Sequence, residues 1–213
     1  MRPMPGISPA EAIPILEESG LIIPVGKWII QNAFSMCTEC RKYYPEFRVS
    51  INLSYVQILK SPLMMELKQI IEHSGISCSG IIVELTESGY LEGTPAVRSV
   101  WNDMKKLRIQ IALDDFGTGY SNLMNISNLE PDIVKLDRGF TLKALSRSYE
   151  YQLMQYVIEM VHKLNQYVCV EGVETKEDLE KIKALGPDLI QGYYYSKPCS
   201  RDEFLKKFFG YSE

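Results

Sequence analysis

Residues 80–116 read GIIVELTESGYLEGTPAVRSVWNDMKKLRIQIALDDF and contain a strand, a helix and a second strand in succession. The runs IIVEL and IALDDF near the two ends are short and apolar, as in buried strands. The segment between them, PAVRSVWNDMKKL, has apolar residues at helical spacing. A strand, a helix and a strand in this order are typical of a parallel sheet with a right-handed crossover.

The same alternation extends over most of the chain. We predict six strands and, between them, helical stretches that include 61–75, 95–107, 148–165 and 175–186. The strands are expected at 48–54, 80–88, 110–116, 132–137, 167–174 and 189–196. Repeated strand–helix units of this kind predict an α/β fold and, most simply, a TIM-type (β/α) barrel.

Two helices are expected before the first strand. The first begins at a capping box, Ser8-Pro9-Ala10-Glu11, and ends at Glu18. The second extends from Val25 to about Tyr44, and its apolar face is predicted to contain Trp28, Ile29, Ala33 and Met36. Two successive helices without a preceding strand, and six strands instead of eight, indicate that the barrel is incomplete. We therefore expect one domain over residues 1–213 that lacks the first two barrel strands.

Composition narrows the class of protein. The 213 residues include 23 Lys+Arg and 27 Asp+Glu, for a formal charge of −4, and 46% of them are hydrophobic. A mildly acidic chain lacks the basic surface that duplex nucleic acid requires, so such a partner is not expected. The sequence contains neither a run of about 18 apolar residues nor a secretory leader, which predicts a cytoplasmic protein without a membrane segment.

The cysteines are predicted to be reduced thiols. Their number is odd, and a chain of this size does not need disulfides for stability. The pair Cys37 and Cys40 forms a CxxC motif, but it supplies only two of the four ligands of a structural zinc site. The five cysteines are Cys37, Cys40, Cys78, Cys169 and Cys199.

Polar side chains stand at the end of every predicted strand. Buried without partners they would each cost several kcal/mol, so we expect them at one open face, the carboxyl-terminal rim of the strands. In chain order they are Asn52, Glu84, Asp114 with Asp115, Lys135 with Asp137, Glu171 with Glu174, and Gln191.

This set predicts a metal site. The carboxylates Glu84, Asp114, Asp115 and Glu171 would repel one another at a shared rim unless cations lay between them. Because all the available ligands are oxygens, Mg²⁺ or Mn²⁺ is favoured over zinc. Adjacent aspartates can serve two ions, and two such ions suit the attack of water on a phosphodiester. Lys135 either orients that water or forms a simple ion pair with a neighbouring carboxylate.

Two further features have alternative interpretations. We expect the loop that includes Gly117, Thr118 and Gly119 to be a mobile element beside the metal site, since a plain turn would explain its glycines but not the two aspartates before them. It lacks the third glycine of a dinucleotide-binding motif. The aromatic run Tyr193–Tyr195 could stack on a base, although we expect it to alternate between the core and the helix layer of a last strand.

Six motifs in the same order resemble the EAL domain family. They are NLSxxQ (52–57), ELTES (84–88), DDFGTGYSN (114–122), VKLD (134–137), EGVET (171–175) and QGYYYSKP (191–198), and the resemblance extends from about residue 8 to about residue 208. Members of this family are metal-dependent phosphodiesterases with a TIM-type barrel that open cyclic di-GMP to linear pGpG. The resemblance thus implies a bacterial cyclic di-GMP phosphodiesterase with two divalent cations, Mg²⁺ or Mn²⁺.

The resemblance also implies roles for individual residues. Asn52, Glu84 and Asp114 would ligate one metal, and Asp114, Asp115 and Glu171 would hold the second. Lys135 would act on the nucleophilic water. Supporting positions would be Asp137 and Gln191 in the inner polar part of the site, and Glu87 as the anchor of the loop at 117–122.

One departure concerns the amino-terminal end. The Glu-Ala-Leu signature of the family, whose glutamate is a metal ligand, should precede the helix at Ser8 and is absent from this sequence. We expect a shortened fragment or gene product with impaired activity and weakened binding at the first metal, or a homodimer or strand-swapped oligomer that covers the gap. GGDEF or sensory domains are expected in the parent protein. The alternative is a non-catalytic EAL-like module that binds cyclic di-GMP or a protein partner.

Overall fold

The computed structural model describes residues 7–86, 94–118, 126 and 129–210. Every one of the six predicted strand segments contains a strand, and the fold is α/β with parallel strands, as predicted. The strands are β1 (Val49–Asn52), β2 (Ile81–Thr86), β3 (Gln110–Phe116), β4 (Ile133–Leu136), β5 (Tyr167–Val170) and β6 (Leu189–Ile190).

Helices precede the first strand and lie between most successive strands. Those predicted from periodicity are present, and the capping box at Ser8 forms as expected. The helices are α1 (Pro9–Glu18), α2 (Ile22–Cys40), α3 (Tyr55–Lys60), α4 (Leu63–Ser74), α5 (Pro95–Lys106), α6 (Arg138–Ser146), α7 (Ser148–Lys163), α8 (Lys176–Lys183) and α9 (Arg201–Phe209). In the part of the chain that the structure describes, none of them is long and apolar enough to cross a membrane.

The chain divides into two compact units. The first comprises Met1–Leu85 and Leu91–Gln110, and in it β1 pairs in parallel with β2, with Asn52 opposite Glu84. The second comprises Thr86–Tyr90 and Ile111–Glu213. Within the second unit β3, β4, β5 and β6 pair in parallel in chain order.

Helix α2 of the first unit buries a different face from the predicted one. Trp28 is 56% exposed, and the buried residues instead recur along the neighbouring stripe Ile22, Gly26, Ile30, Phe34, Cys37 and Cys40. The prediction was wrong for Trp28, because a second apolar stripe competes on this helix, whereas Ile29, Ala33 and Met36 are half-buried. Contacts with β1, α3 and α4 select the second one, in which Gly26 leaves room for the Gln57 side chain.

The core of the second unit lies around β4. Val134 and Leu136 have no exposed surface, and Val168 and Val170 of the neighbouring β5 are equally buried. Parallel strands covered on both faces have continuous apolar sequences of this kind. Lys135, in the middle of β4, is the exception, and it is buried as well.

The loops that follow β5 and β6 are joined through their backbones. Val173 N–H donates to Gln191 O (3.3 Å), and Tyr194 N–H donates to Val173 O (3.0 Å). Gly192 lies at the crossing, where a Cβ atom would overlap the Val173 carbonyl oxygen and lie 2.5 Å from the Val173 nitrogen. Because the obstacle is backbone, a side chain here would have to separate the two loops.

We therefore expect Gly192→Ala to lower the free energy of unfolding by about 3 kcal/mol, as in other overpacked sites. The control is Gly186→Ala, where no atom lies within 4 Å of the new methyl group and only the φ of +74° disfavours alanine. That control should cost only about 1–2 kcal/mol. Urea unfolding of the unchanged chain and of the two variants measures both values. Equal losses for the two variants would contradict the close approach of the two loops at Gly192.

The five cysteines are free thiols, as predicted. Cys37, Cys40 and Cys169 are buried, Cys78 is half-buried and Cys199 is exposed. Burial raises the pKa of the Cys37 thiol above its ordinary value, and the nearby Arg41 guanidinium offsets part of this effect. At a given pH, a smaller fraction of Cys37 is therefore the reactive thiolate.

Thiol titration should distinguish the exposed cysteine from the buried ones. With Ellman's reagent at pH 8, we expect Cys199 to react first and Cys37 to react only slowly until urea unfolds the chain. The variant Cys199→Ser should lose the fast phase and retain the slow one. Rapid modification of Cys37 in the native protein, read by mass spectrometry of labelled peptides, would contradict this order.

Candidate active site

A buried lysine lies between two carboxylates at the carboxyl-terminal ends of the strands in the second unit. Lys135 in β4 is only 4% exposed. Its Nζ atom lies 3.0 Å from Asp114 Oδ1 and 2.6 Å from Glu171 Oε1. Asp114 belongs to β3 and Glu171 follows β5, so the strands on both sides of β4 each contribute one carboxylate. Lys135 thus joins two of the other side chains that the sequence analysis assigned to the same site.

The two adjacent aspartates differ in their surroundings. Between Leu113 and Phe116 the register of β3 against β4 shifts, which marks a bulge. Asp114 is buried, whereas Asp115 is exposed and has a positive φ of 60°. Its N–H donates to Asp114 Oδ1 (3.0 Å). A bulge interrupts the regular alternation of side chains, so it lets two successive residues serve the same end of the sheet.

The backbone of Glu171 is held by strand β4. Its N–H donates to Leu136 O at 3.1 Å, which continues the ladder between β4 and β5 by one residue. The next residue, Gly172, has a φ of +80°, and the loop then turns toward α8. Two residues later Glu174 forms an ion pair with Arg138 (2.8 Å).

Asp137 has a structural role that the sequence analysis did not predict. Its carboxylate accepts hydrogen bonds from the N–H groups of Gly139 (2.7 Å) and Phe140 (3.3 Å) and so caps α6. Asp before a helix-forming segment is a common N-cap signal, and DRGF at 137–140 contains it. Asp137 therefore fixes the start of the helix directly after the strand that contains Lys135.

The remaining predicted residues of the second unit differ in their exposure and backbone conformation. Gln191 and Thr118 are exposed, while the Gln191 N–H donates to Val170 O (2.8 Å). Gly117 has a φ of +104°, and a Cβ there would come within 2.9 Å of the Phe140 ring. The glycine is thus required both by conformation and by space. Glu87 and Gly119, which were also predicted as site residues, lie outside the described residues.

The tyrosine run does not pack as predicted. All three rings are exposed, at 54% for Tyr193, 40% for Tyr194 and 45% for Tyr195. They follow β6, which ends at Ile190. The expectation of alternating burial was wrong because the strand is only two residues long. Without a strand, its periodicity of two does not apply to these rings.

Asn52 and Glu84 belong to the first unit and are neighbours there. Asn52, the last residue of β1, is paired in register with Glu84 of β2, and Ser50 Oγ donates to Glu84 Oε1 (2.5 Å). Glu84 is buried, whereas Asn52 is exposed. Their assignment as metal ligands stays a prediction.

The oxygen donors of the second unit suit a hard divalent cation. Asp114 and Glu171 each place a carboxylate oxygen within 3.0 Å of one point, which the Lys135 ammonium occupies. The arrangement thus already stabilises positive charge between two carboxylates, and Asp115 is adjacent. Among the described residues, no group of three or more His, Cys, Asp or Glu is arranged as a complete metal site.

Comparison with known proteins gives a consistent result. The family model described as "EAL domain" matches residues 3–198. Protein y4lL of Sinorhizobium fredii, which is uncharacterized, is 35% identical over 199 residues, covering 93% of this chain and 24% of that protein. Cyclic di-GMP phosphodiesterase PdeF of Escherichia coli is 31% identical over 192 residues, covering 90% of this chain and 26% of the relative. This chain spans about a quarter of the length of these relatives.

Solved structures agree with the sequence comparison. The EAL enzyme Bd1971 in its cyclic AMP and cyclic di-GMP bound form superposes with a TM-score of 0.89 at 30% identity, covering 96% of this chain and 57% of that one. The cyclic di-GMP complex of the PaMucR phosphodiesterase gives 0.85 at 26% identity, covering 93% of this chain and 81% of that one. EAL structures are TIM-type barrels, which agrees with the fold class predicted from the strand pattern. This chain belongs to the EAL domain family.

Proposed function

We propose that this chain is the phosphodiesterase domain of a bacterial cyclic di-GMP hydrolase, opening the cyclic dinucleotide to linear pGpG. The observation on which the proposal depends is the contact of the Lys135 ammonium with the Asp114 and Glu171 carboxylates. Buried charges of both signs at strand ends are costly to maintain for stability alone, so such a cluster is more readily explained by a functional role.

The relatives support the substrate. PdeF and PdeR of E. coli, 31% and 32% identical to this chain, are named cyclic di-GMP phosphodiesterases. MucR of Pseudomonas aeruginosa, 27% identical, is named a bifunctional diguanylate cyclase and cyclic di-GMP phosphodiesterase. This chain matches only about a quarter of PdeF, so the proposal includes a GGDEF or sensory domain elsewhere in the parent protein. It also includes a cytoplasmic location.

In this proposal Asp114, Asp115 and Glu171 hold divalent cations, Mg²⁺ or Mn²⁺. When bound, such ions polarise the phosphodiester and lower the pKa of a coordinated water. The chain's own contribution is to fix the ligands. The bulge in β3 presents the aspartates, the hydrogen bond to Leu136 O places Glu171, and the Lys135 ammonium orients the attacking water by N–H donation.

Turnover of cyclic di-GMP tests the proposal. With Mn²⁺ present, we expect the chain to produce pGpG, measured by chromatography, and Glu171→Gln to lose at least about a hundredfold in rate. The matched control, Glu180→Gln, makes the same chemical change on an exposed position of α8 and should leave the rate unchanged.

Two outcomes would contradict the proposal in different ways. If the chain binds cyclic di-GMP without producing pGpG, it is a binding module. If it neither binds nor hydrolyses the dinucleotide while thermal unfolding shows an intact fold, the substrate assignment is wrong.

Lys135→Met gives an independent prediction. The change leaves Asp114 and Glu171 without their buried cation, so we expect the free energy of unfolding to fall by about 3 kcal/mol. Because Mn²⁺ can replace the missing charge, it should raise the melting temperature of the variant more than that of the original chain. Turnover should fall about a hundredfold or more, since the water loses its orienting donor.

The control for this variant is Lys106→Met. Lys106 forms an exposed pair with Asp103 (2.9 Å) and has 75% of its side chain exposed, so its loss should change stability by less than about 0.5 kcal/mol. Unfolding curves with and without Mn²⁺ compare the two variants. Equal stability of both would show that the Lys135 cluster is not held as described.

A further inference from the structure

Arg138 occupies a notch that a glycine leaves open. The side chain of Arg138, the first residue of α6, lies against Gly172. A Cβ atom on Gly172 would overlap Arg138 Cγ and lie 2.9 Å from Arg138 Cβ. The glycine is therefore needed for space as well as for its φ of +80°. The apolar stem of the arginine thus packs onto the backbone of the neighbouring loop.

The charged end of the same arginine is fixed in the same loop. Arg138 Nη2 lies 2.8 Å from Glu174 Oε1, two residues beyond the notch. The side chain consequently contacts the loop that follows β5 at two points, once through its stem and once through its guanidinium. An arginine can do both because its long stem is apolar and its head group is a rigid donor.

These two contacts are made by the residues that directly follow Glu171. Glu171 directly precedes Gly172, and its carboxylate lies 2.6 Å from Lys135 Nζ. Arg138, in turn, follows Lys135 by three residues and starts at the cap that Asp137 provides. Arg138 therefore links the loop after β4 to the loop after β5 on the side of the site where Glu171 emerges.

We propose that Arg138 is a positioning residue for Glu171. Its stem in the Gly172 notch and its ion pair with Glu174 together hold the Glu171 carboxylate toward Lys135 and toward a bound cation. This inference rests on the proposed function for the identity of the cation, but the geometry of the loop can be tested without it.

An ordinary surface ion pair would not have this effect. Arg138 and Glu174 are 58% and 39% exposed, and pairs of such exposure contribute little to stability. A group that orients a metal ligand, by contrast, typically changes metal affinity by tenfold or more when it is lost. The proposal thus predicts a large local and functional effect together with a small effect on global stability.

The test compares Arg138→Met, which keeps an apolar stem and removes the charge, with Arg147→Met. Arg147 is the control because it is itself similarly exposed and also pairs with a glutamate, Glu150 of α7 (3.2 Å). Hydrogen exchange followed by mass spectrometry reads the amides of Glu171 and Val173, whose N–H groups donate to Leu136 and Gln191. Mn²⁺ affinity is measured by calorimetry on the same proteins.

For Arg138→Met we expect faster exchange confined to residues 171–175 and an approximately tenfold weaker affinity for Mn²⁺. Thermal unfolding should change little, and excess Mn²⁺ should restore most of the turnover. Glu174→Gln should reproduce these effects in part. Arg138→Lys, which retains the stem and a positive charge, should recover part of the affinity. Arg147→Met should resemble the original chain in every measurement.

The proposal is overturned if Arg138→Met leaves the exchange of residues 171–175 unchanged, or if exchange rises equally throughout the chain. It is also overturned if the loop loosens while Mn²⁺ affinity stays the same. Failure of the proposed function has a different signature, because the original chain would then produce no pGpG, whatever the exchange of the loop.

Discussion

The arrangement of the second unit depends on one ion cluster, in which the Lys135 ammonium contacts the Asp114 and Glu171 carboxylates. Lys135 is the polar member of a strand whose other side chains are apolar and buried. Its charge can be accommodated there only if both neighbouring strands supply an anion, since an unpaired buried ammonium would be strongly unfavourable. The parallel pairing of β4 with β3 and with β5 brings those two anions to it.

Stability alone does not explain such a cluster. Buried ion pairs rarely stabilise a fold more than well-packed apolar residues of the same size, because desolvation offsets the attraction. A methionine or leucine between two apolar residues would suit a buried strand equally well. The cluster is better explained by a need for preorganised charge at the carboxyl-terminal ends of the strands, where barrel enzymes build their sites.

The sequence was sufficient to predict the strands and the grouping of the charged residues, because both follow from local patterns. Short apolar runs ending in a carboxylate or lysine indicated each strand and its rim. The strand ends were predicted too long, at 174 instead of Val170 and at 196 instead of Ile190. Loops 171–175 and 191–195 resemble strands in composition, but their backbones turn at Gly172 and pack on each other at Gly192.

Features that depend on contacts between distant segments were not predictable from such patterns. The face of α2 was decided by its neighbours, since the stripes through Trp28 and through Phe34 are both apolar. The capping role of Asp137 is different, because the DRGF segment signals it locally, although a carboxylate at a strand end also suggested a site residue. Exposure of the Tyr193–Tyr195 run followed from the shortness of β6.

The placement of Glu171 shows how these non-local contacts combine. On one side its N–H is bound to Leu136 O of the preceding strand, so the ladder fixes its backbone. On the other side Val173 is bound to the Gln191 turn, and Gly192 allows the two loops to approach without a side chain between them. With its backbone held on both sides, the carboxylate is already directed at the point that the Lys135 ammonium occupies. A ligand fixed in this way loses little entropy when it binds, which is the physical basis of a preorganised site.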